Sequence, residues 1–375
     1  MLAICATLAA VMWVSLLLVP WRPWSTRESL HAGSAETTTD FGGVTALIPA
    51  RDEAACIADT LRALAAQGQL ARIVVIDDQS SDGTGDIARA LGIDGLEVIG
   101  GSDPPPGWSG KLWALEQGLA RVCSPRTLLL DADIALAPGT LAALHARMTR
   151  DRLALASVMA TLCMGNAWEK FLLPPFIFFF KLIYPFALAN RAGSRVAAAA
   201  GGCILLETDA LRGIGGFAAL HDAIIDDCTL ARRIKDHGGR TWLGLSRDVR
   251  AIRPYETLDN IWNMVARSAF TQLRYSSALL LVCTALLLVS FVAPVLAVLA
   301  AGAGGSLAGS VALAAMAGAY WPTIRYYGLH PAWTATLPLA ACLYLAMTWH
   351  SAIRFWSGER SRWKNRSYER LESRD

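Results

Sequence analysis

Two carboxylates one residue apart follow three leucines in the segment LLLDADIALAPGT, residues 128 to 140. Asp131 and Asp133 would be buried if the chain simply continued as hydrophobic core. Carboxylate oxygens suit Mg²⁺ and Mn²⁺, and Mg²⁺ is usually held by one or two carboxylates together with substrate phosphates. An Asx-type turn is the alternative, since such turns are common in loops. The pattern alone leaves both interpretations open.

Two more pairs of carboxylates lie in comparable positions. Asp77 and Asp78 end the apolar run RIVVIDD and precede SSDGTGD, which lacks the glycine pattern of a phosphate-binding loop. One interpretation is that these carboxylates accept hydrogen bonds from a nucleobase or a ribose. The other is that they cap a turn. Asp226 and Asp227 stand where the amphipathic helix DDCTLARRIKD is predicted to begin. That pair is either a helix cap or a general base, which contributes about 10²–10⁴-fold to a rate.

Short apolar strands alternate with helices through the first part of the chain. Strands are predicted at 44–49, 72–76, 96–100 and 127–130, with helices at 54–66 and 111–121. Uninterrupted apolar strands separated by helices predict a parallel sheet that is buried on both faces. Ligands bind at the carboxyl ends of such strands. We therefore expect the polar residues after three of these strands, at 49–53, 77–78 and 131–133, to meet at one edge.

The chain of 375 residues is 54% hydrophobic and 17% charged, more apolar than an ordinary soluble domain. Uncharged runs at 2–19, 276–324 and 331–353 are each long enough to cross a hydrocarbon core of about 30 Å. The first run resembles an anchor more than a cleaved signal peptide, because no basic residue precedes it. Arg22 and Arg27 follow it and place the globular part in the cytoplasm by the positive-inside rule.

This composition predicts five regions along the chain. They are an anchor at 1–20, a linker at 21–41, a globular domain at 42–275, a membrane region of two or three spans at 276–355 and a basic tail at 356–375. Three spans after a cytoplasmic domain would leave the basic tail on the far side of the membrane, against the positive-inside rule. We therefore expect an interfacial or re-entrant segment near 304–322.

Residues 167–190 are rich in aromatics but contain Pro174, Pro175 and Pro185, together with Lys181. The prolines argue against a straight transmembrane helix. An interfacial element on the bilayer surface is expected, and a buried core helix is the alternative.

Other common functional classes are not indicated. The eight cysteines are scattered without a Cys-x-x-Cys motif, as expected of a reducing compartment. The six histidines lack metal-ligand spacing, and a net charge of +3 does not indicate a nucleic-acid partner.

Five segments occur in the order seen in the family 2 glycosyltransferases: VTALIPARDE, VVIDDQSSDGT, LLLDADIALAPG, GGCILLETDALRGIGGF and IIDDCTLARRIKDHGGR. The resemblance covers about residues 40–275. It implies an α/β fold of the GT-A type, which is Rossmann-like, and an inverting transfer from a nucleotide-diphosphate sugar. GSDPPPGWSGKLWALEQG, LPPFIFFFKLIYPF and WNMVARSAFTQLRYS further resemble the bacterial membrane glycosyltransferases associated with hopanoid biosynthesis.

The resemblance implies a role for each matching position. The donor-binding residues it implies are Pro49, Arg51, Glu53, Asp77, Asp78, Lys111, Asp131, Gln272 and Arg274. Asp133 would be the direct metal ligand, with Asp131 beside it and near the ribose and sugar. Asp227 would be the catalytic base, and Asp226 stands where the family often has Glu. The run Gln272-Leu273-Arg274-Tyr275 is one residue shorter than the family's Gln-x-x-Arg-Trp signature and ends in Tyr.

The expected protein is therefore a multi-pass enzyme of the bacterial inner membrane with its catalytic domain in the cytoplasm. It would use Mg²⁺ or Mn²⁺ and a nucleotide-diphosphate sugar, UDP-linked by the family's default, to glycosylate a lipid of the hopanoid type. A polyprenyl phosphate is an alternative acceptor. A non-catalytic scaffold that binds nucleotide sugars is a second alternative, but a mere binder has no use for a base such as Asp227.

Overall fold

The computed structural model describes residues 1–33, 40–363 and 366–369 of the chain, with side chains as far as 359. Part of the expected linker and most of the expected basic tail therefore lie outside the described residues or side chains.

The strands and helices are numbered in chain order. The strands are β1 Ser29–Leu30, β2 Asp40–Ala50, β3 Gln69–Asp77, β4 Leu96–Gly100, β5 Arg126–Leu130, β6 Ile134–Leu136, β7 Leu155–Thr161, β8 Cys203–Glu207, β9 Thr241–Ala251, β10 Glu359–Trp363 and β11 Arg366–Glu369. The helices up to the end of the globular part are α1 Leu2–Leu18, α2 Ile57–Ala65, α3 Thr84–Ala90, α4 Gly110–Leu119, α5 Thr140–Asp151, α6 Ala167–Ile183, α7 Phe186–Ala189, α8 Thr208–Gly213, α9 Asp226–Asp236, α10 Leu258–Ala266 and α11 Ala269–Gln272. The later helices are α12 Ser277–Leu287, α13 Ala293–Ala300, α14 Ala303–Tyr326 and α15 Leu337–Trp356.

One sheet forms the centre of the globular part. Its strand order is β1-β9-β7-β8-β5-β2-β3-β4, and β6 pairs with β9. The strands β2, β3, β4 and β5 are parallel neighbours, as predicted. The complete sheet is mixed, because β8, which was not among the predicted strands, runs antiparallel between β5 and β7. The chain reaches β8 from the carboxyl edge, where Gly202 O accepts a hydrogen bond of 3.1 Å from Asp131 N, so β8 has to run in the opposite direction.

The apolar strands are buried on both faces, as their composition predicts. In β3, Ile73 and Val75 pack into one hydrophobic cluster, and Val74 and Ile76 pack into a second cluster on the opposite face. Alternate residues of a strand point to opposite faces of the sheet. A strand without polar residues therefore requires that both faces of the sheet be covered by other elements. The result is an α/β sandwich whose carboxyl edge carries the acidic segments.

The aromatic segment forms α6 and α7, and α6 continues through Pro174 and Pro175. Ile177 packs against the β7 and β9 side of the sheet, whereas Phe178 stacks on Trp13 of α1 at 6.3 Å between ring centroids. The segment thus lies between the sheet and the apolar helices. Phe178 is fully buried, as the alternative of a buried helix expects, and the interfacial position of the segment stays a prediction.

Among the described residues, three helical segments are long and apolar enough to cross a membrane: Ser277–Ala300, Ala303–Tyr326 and Pro331–Trp356. The first joins α12 to α13 through a π-helical turn at Leu288–Val292. The segment near 304–322, which was expected to be re-entrant or interfacial, forms part of α14, one continuous helix of 24 residues without a re-entrant turn. The shorter apolar helix α1 packs along α14.

Small residues allow α1, α13 and α14 to approach closely. A Cβ added at Gly305 would lie 3.1 Å from Ala3 Cβ, and one added at Gly309 would lie 2.6 Å from Pro294 O. Small residues four positions apart are typical of helix contacts in membranes, where close backbone packing replaces the hydrophobic effect. The π-helical turn adds a polar contact, because Ser290 O accepts a hydrogen bond of 2.9 Å from Trp13 Nε1.

The Gly309→Val protein is expected to lose about 1–3 kcal/mol of stability, because the added methyl groups push α13 away from α14. Gly318→Val is the matched control in the same helix, since nothing lies within 4 Å of a Cβ at that position. Thermal unfolding of both purified variants in detergent measures the difference. Equal midpoints for the two variants would contradict this packing.

Candidate active site

The predicted convergence of the strand ends is present in the structure. Ala50 at the end of β2 pairs with Asp77 at the end of β3, and Asp131 follows β5 directly. The start of β8 and the start of α9 lie at the same edge, where a cavity is lined by residues that include Pro49, Lys111, Asp131, Gly201, Asp226 and Asp227. Acids that are distant in sequence therefore share one site.

Lys111, in the first turn of α4, lines this cavity. Its Nζ lies 2.7 Å from Asp131 Oδ1 and 3.7 Å from Asp226 Oδ2. Burial alone would lower the pKa of Lys111, but attraction by Asp131 and then by Asp226 outweighs burial and raises the pKa above its ordinary value. Lys111 is therefore a permanent cation among carboxylates.

Asp227 is held by two backbone amides at the start of α9. Gly201 N donates to Oδ2 at 2.8 Å, and Cys228 N donates to Oδ1 at 2.7 Å. Removal from water, followed by repulsion from Asp226, raises the pKa of Asp227 to about 6. A carboxylate with such a pKa is still ionised at neutral pH and is a stronger base than an ordinary aspartate.

Asp78 and Arg51 form a buried pair beside this cavity. Arg51 Nη1 donates to Asp78 O at 2.6 Å and lies 3.4 Å from Asp78 Oδ2, and Asp78 is fully buried. Pairing of the guanidinium with both backbone and side chain holds the ends of β2 and β3 together.

Asp77 has a different position from its neighbour. Its Oδ1 accepts a hydrogen bond of 3.0 Å from Ser80 N, and a Cβ at Gly85 would lie 2.3 Å from its Oδ2. The side chain therefore shapes the turn into α3, which is the capping alternative that the sequence allowed. The structure does not bring Asp77 into the cavity around Lys111.

Sequence reasoning missed Arg253, which follows β9. Its guanidinium forms an ion pair with Glu53, and its Nε lies 3.4 Å from Asp133 Oδ2. Glu53 is only 7% exposed, so this cation offsets a buried negative charge. The signal was present in the run Arg253-Pro254, a basic residue and a proline at a strand end, as in the segment after β2.

The segment Gln272–Tyr275 precedes the apolar helices, and its residues differ in their contacts. Gln272 Oε1 accepts a hydrogen bond of 2.8 Å from the hydroxyl of Tyr184, whose pKa is raised by burial and by the nearby Cys228. Arg274 is exposed and has a left-handed φ of 52°, as does Tyr275 with a φ of 56°. Two consecutive residues in this region are strained, and such strain is typical of functional segments.

The carboxylates suit a divalent cation in their chemistry. Asp131 and Asp133 are paired with Lys111 and Arg253, and neither is more than one-third exposed. Within the ranges that the structure describes, no group of three or more His, Cys, Asp or Glu side chains is arranged to hold a metal ion. Two carboxylates are enough where substrate phosphates supply further ligands, so the pair fits Mg²⁺ or Mn²⁺.

The family described as glycosyltransferase-like family 2 matches residues 42–271, which is well over half of the chain. The chain belongs to this family. It is a glycosyltransferase with a GT-A-like fold, and the resemblance seen in the sequence is confirmed at the family level.

Two similar proteins extend this comparison. The 4,4'-diaponeurosporenoate glycosyltransferase of Staphylococcus aureus is 33% identical over 91 residues, which is 24% of this chain and 24% of that protein. The match therefore spans about a quarter of this relative's length. A mannosyltransferase from Pyrobaculum calidifontis, solved in complex with GDP-Man and Mn²⁺, is 19% identical with a TM-score of 0.56 over 96% of this chain and 100% of the other. That likeness shows the fold.

Proposed function

We propose that this glycosyltransferase moves a sugar from a UDP-linked donor to the hydroxyl group of a membrane lipid of the hopanoid type. The observation that carries the proposal is the position of Asp227. A carboxylate with a pKa raised to about 6 lies beside the cation Lys111 in one cavity. A displacement of this kind needs a base where the acceptor hydroxyl loses its proton, and a cation where the leaving diphosphate gains negative charge.

The reaction that we propose is a single displacement with inversion. Asp227 takes the proton of the acceptor hydroxyl while that oxygen attacks the anomeric carbon. The bond from this carbon to the diphosphate breaks at the same time, and the nucleoside diphosphate leaves with the electron pair. Lys111 stabilises the charge that develops on the leaving diphosphate, and Asp226 helps to hold Lys111 in place.

The remaining site residues bind the donor in this proposal. Asp78 and Arg51 contact the nucleobase of the donor, and Asp77 supports the turn beside them. Pro49 and Glu53 line the same pocket. Gln272 and Arg274 contact the diphosphate. Asp133 and Asp131 would hold a divalent cation. A cation bound there would neutralise charge on the diphosphate.

The apolar helices support a lipid acceptor and a membrane location. The GT-A domain, proposed as residues 42–275, is joined to α1 through Phe178 and to α14 through Arg247, whose Nε donates to Tyr326 O at 3.0 Å. In this arrangement the catalytic domain stays at a fixed distance from the lipid surface. We propose the bacterial inner membrane with this domain in the cytoplasm, since the basic residues lie on the domain's side of the apolar helices. The relative named for 4,4'-diaponeurosporenoate supports a lipid acceptor.

The test of the proposed function incubates the purified full-length protein with radiolabelled UDP-sugars, MnCl₂ and one of two lipids, a hydroxylated hopanoid or a polyprenyl phosphate. We expect label in the hopanoid extract only, and NMR of the product should show inverted anomeric configuration. The Asp133→Asn protein is the negative control. Label in the polyprenyl phosphate alone would overturn the hopanoid acceptor, and retained configuration would overturn the single displacement.

A further inference from the structure

The last apolar helical segment, Pro331–Trp356, has 26 residues and is long enough to cross a membrane. A helix that crosses the hydrocarbon core has its two ends about 30 Å apart along the membrane normal. One end would then lie far from the globular domain. The contacts of α15 test this expectation at its beginning, middle and end.

The first half of α15 lies on α6. Leu337 is buried in the same cluster as Phe178. Further along, the hydroxyl of Tyr344 donates to Leu172 O at 2.8 Å, and its ring centroid lies 5.1 Å from that of Phe179. The helix thus follows the surface of α6 over several turns.

Helix α6 is itself fastened to the globular domain at both ends. Near its start, Glu169 Oε1 accepts a hydrogen bond of 2.7 Å from Tyr255 N. Beyond its other end, directly after α7, Asn190 Nδ2 donates to Leu243 O in β9 at 2.9 Å. Because α6 lies along the domain, a helix that lies along α6 also lies along the domain.

The second half of α15 contacts α10 and the following α11. Trp262 Nε1 donates to His350 Nδ1 at 2.6 Å, and Phe270 N donates to Ser351 Oγ at 3.1 Å. One turn later, Arg354 Nη1 donates to Asn263 Oδ1 at 3.2 Å. The carboxyl end of α15 therefore returns to the globular domain.

The other apolar helices have a different arrangement. Arg247 holds Tyr326 at the domain end of α14. Gly305, 21 residues earlier in the same helix, is close to Ala3 and Ala301. At 1.5 Å per residue this separation is about 31 Å, the thickness of a hydrocarbon core. Thus α14 leads away from the domain, with α1 and the helix formed by α12 and α13 beside it.

The uncovered face of α15 is apolar along its length. Leu339, Cys342, Ala346 and Ile353 are exposed and lie on one stripe of the helix, and none of them is charged. Leu339 is 62% exposed and Ile353 is 54% exposed. Contact of such an apolar face with water is unfavourable. A helix that packs on the protein with one face and presents apolar residues on the other is typical of a membrane interface.

We infer that α15 is an in-plane membrane helix, which lies in the leaflet next to the catalytic domain and does not cross the bilayer. This inference rests on the membrane location in the proposed function. Three crossings then remain: α1, the α12–α13 helix and α14. The basic residues after α15 stay on the side of the catalytic domain, where the positive-inside rule places them. The exposed stripe of α15 contacts that leaflet at the boundary between its acyl chains and its headgroups.

The inference is tested in the full-length protein with a membrane-impermeant maleimide, applied to intact spheroplasts and to inverted membrane vesicles. In a background without the other cysteines, a cysteine is kept at Cys123 in the globular domain or introduced as Ser357→Cys or Gly304→Cys. All three positions are accessible, since Cys123 and Ser357 are exposed and nothing lies within 4 Å of a Cβ at Gly304. We expect Ser357→Cys to be labelled on the same side as Cys123, and Gly304→Cys on the opposite side.

Labelling of Ser357→Cys together with Gly304→Cys would overturn the in-plane helix and leave the proposed function intact. Labelling of Cys123 and Gly304→Cys from the same side would contradict the membrane location, and with it the lipid acceptor. A second measurement avoids the cysteine-free background: alkaline phosphatase fused after residue 375 of the unaltered chain should be inactive, and green fluorescent protein fused there should fluoresce. Active phosphatase would also overturn the inference.

Discussion

The Asp227→Asn protein is expected to transfer sugar about 10²–10⁴-fold more slowly than the unaltered protein, because the amide cannot accept the acceptor's proton. Steady-state kcat with the lipid acceptor is the measurement. Asp209→Asn is the matched control, since Asp209 is also an acid in the first turn of a helix but is exposed. Binding of UDP by calorimetry should be similar in both variants. More than a tenth of the normal kcat in Asp227→Asn would show that another group is the base.

The pH dependence follows from the same carboxyl group. Asp227 must be deprotonated to act as a base, and its pKa is raised to about 6 by burial and by Asp226. We therefore expect kcat of the unaltered protein to rise with pH through about 6 and then to level off. If Asp227 acted as an acid catalyst instead, kcat would fall with rising pH over the same range.

The Lys111→Met protein is expected to lose about 10²–10³-fold in kcat, the cost of removing one electrostatic contact to a developing oxyanion. A second effect is more specific. The positive charge of Lys111 lowers the pKa of Asp227, so its removal should move the acidic limb of the pH profile to higher pH. The profile of kcat against pH measures this displacement. An unmoved limb would contradict the coupling of the two groups.

A double variant separates electrostatics from misfolding. Asp226 raises the pKa of Asp227, so adding Asp226→Asn to Lys111→Met should move the acidic limb back toward its normal position. A merely unfolded site would not recover in this way. If the double variant has the same limb as Lys111→Met alone, Asp226 does not act on Asp227 as the structure indicates.

The acidic edge of the site was predictable because the rule that governs it is local. A strand of a parallel sheet ends where its apolar run ends, and neighbouring parallel strands end at the same edge. Residues at the carboxyl ends of β2 and β5 therefore had to meet, although about 80 residues separate Pro49 from Asp131. The prediction that Lys111 and Asp227 belong to the site came from the resemblance to a family, and the structure places both in one cavity.

Adjacent residues at the same strand end could not be distinguished from the sequence. Asp78 is buried against Arg51, whereas Asp77 accepts a hydrogen bond within the turn to α3. Both are acids after the same apolar run, and only the path of the turn decides which side each one faces. Arg253 was missed for a similar reason, since its partners Glu53 and Asp133 come from other strands.

The sequence by itself determined the fold class, the family and the presence of long apolar helices, because these depend on periodicity, motif order and composition. The tertiary structure alone decided the antiparallel course of β8, the unbroken course of α14 and the path of α15 along the domain. Hydropathy measures how long and how apolar a segment is, but the direction of a helix depends on its packing. Hydrogen bonds such as those of Tyr344 and His350 set that direction, and they join residues far apart in the chain.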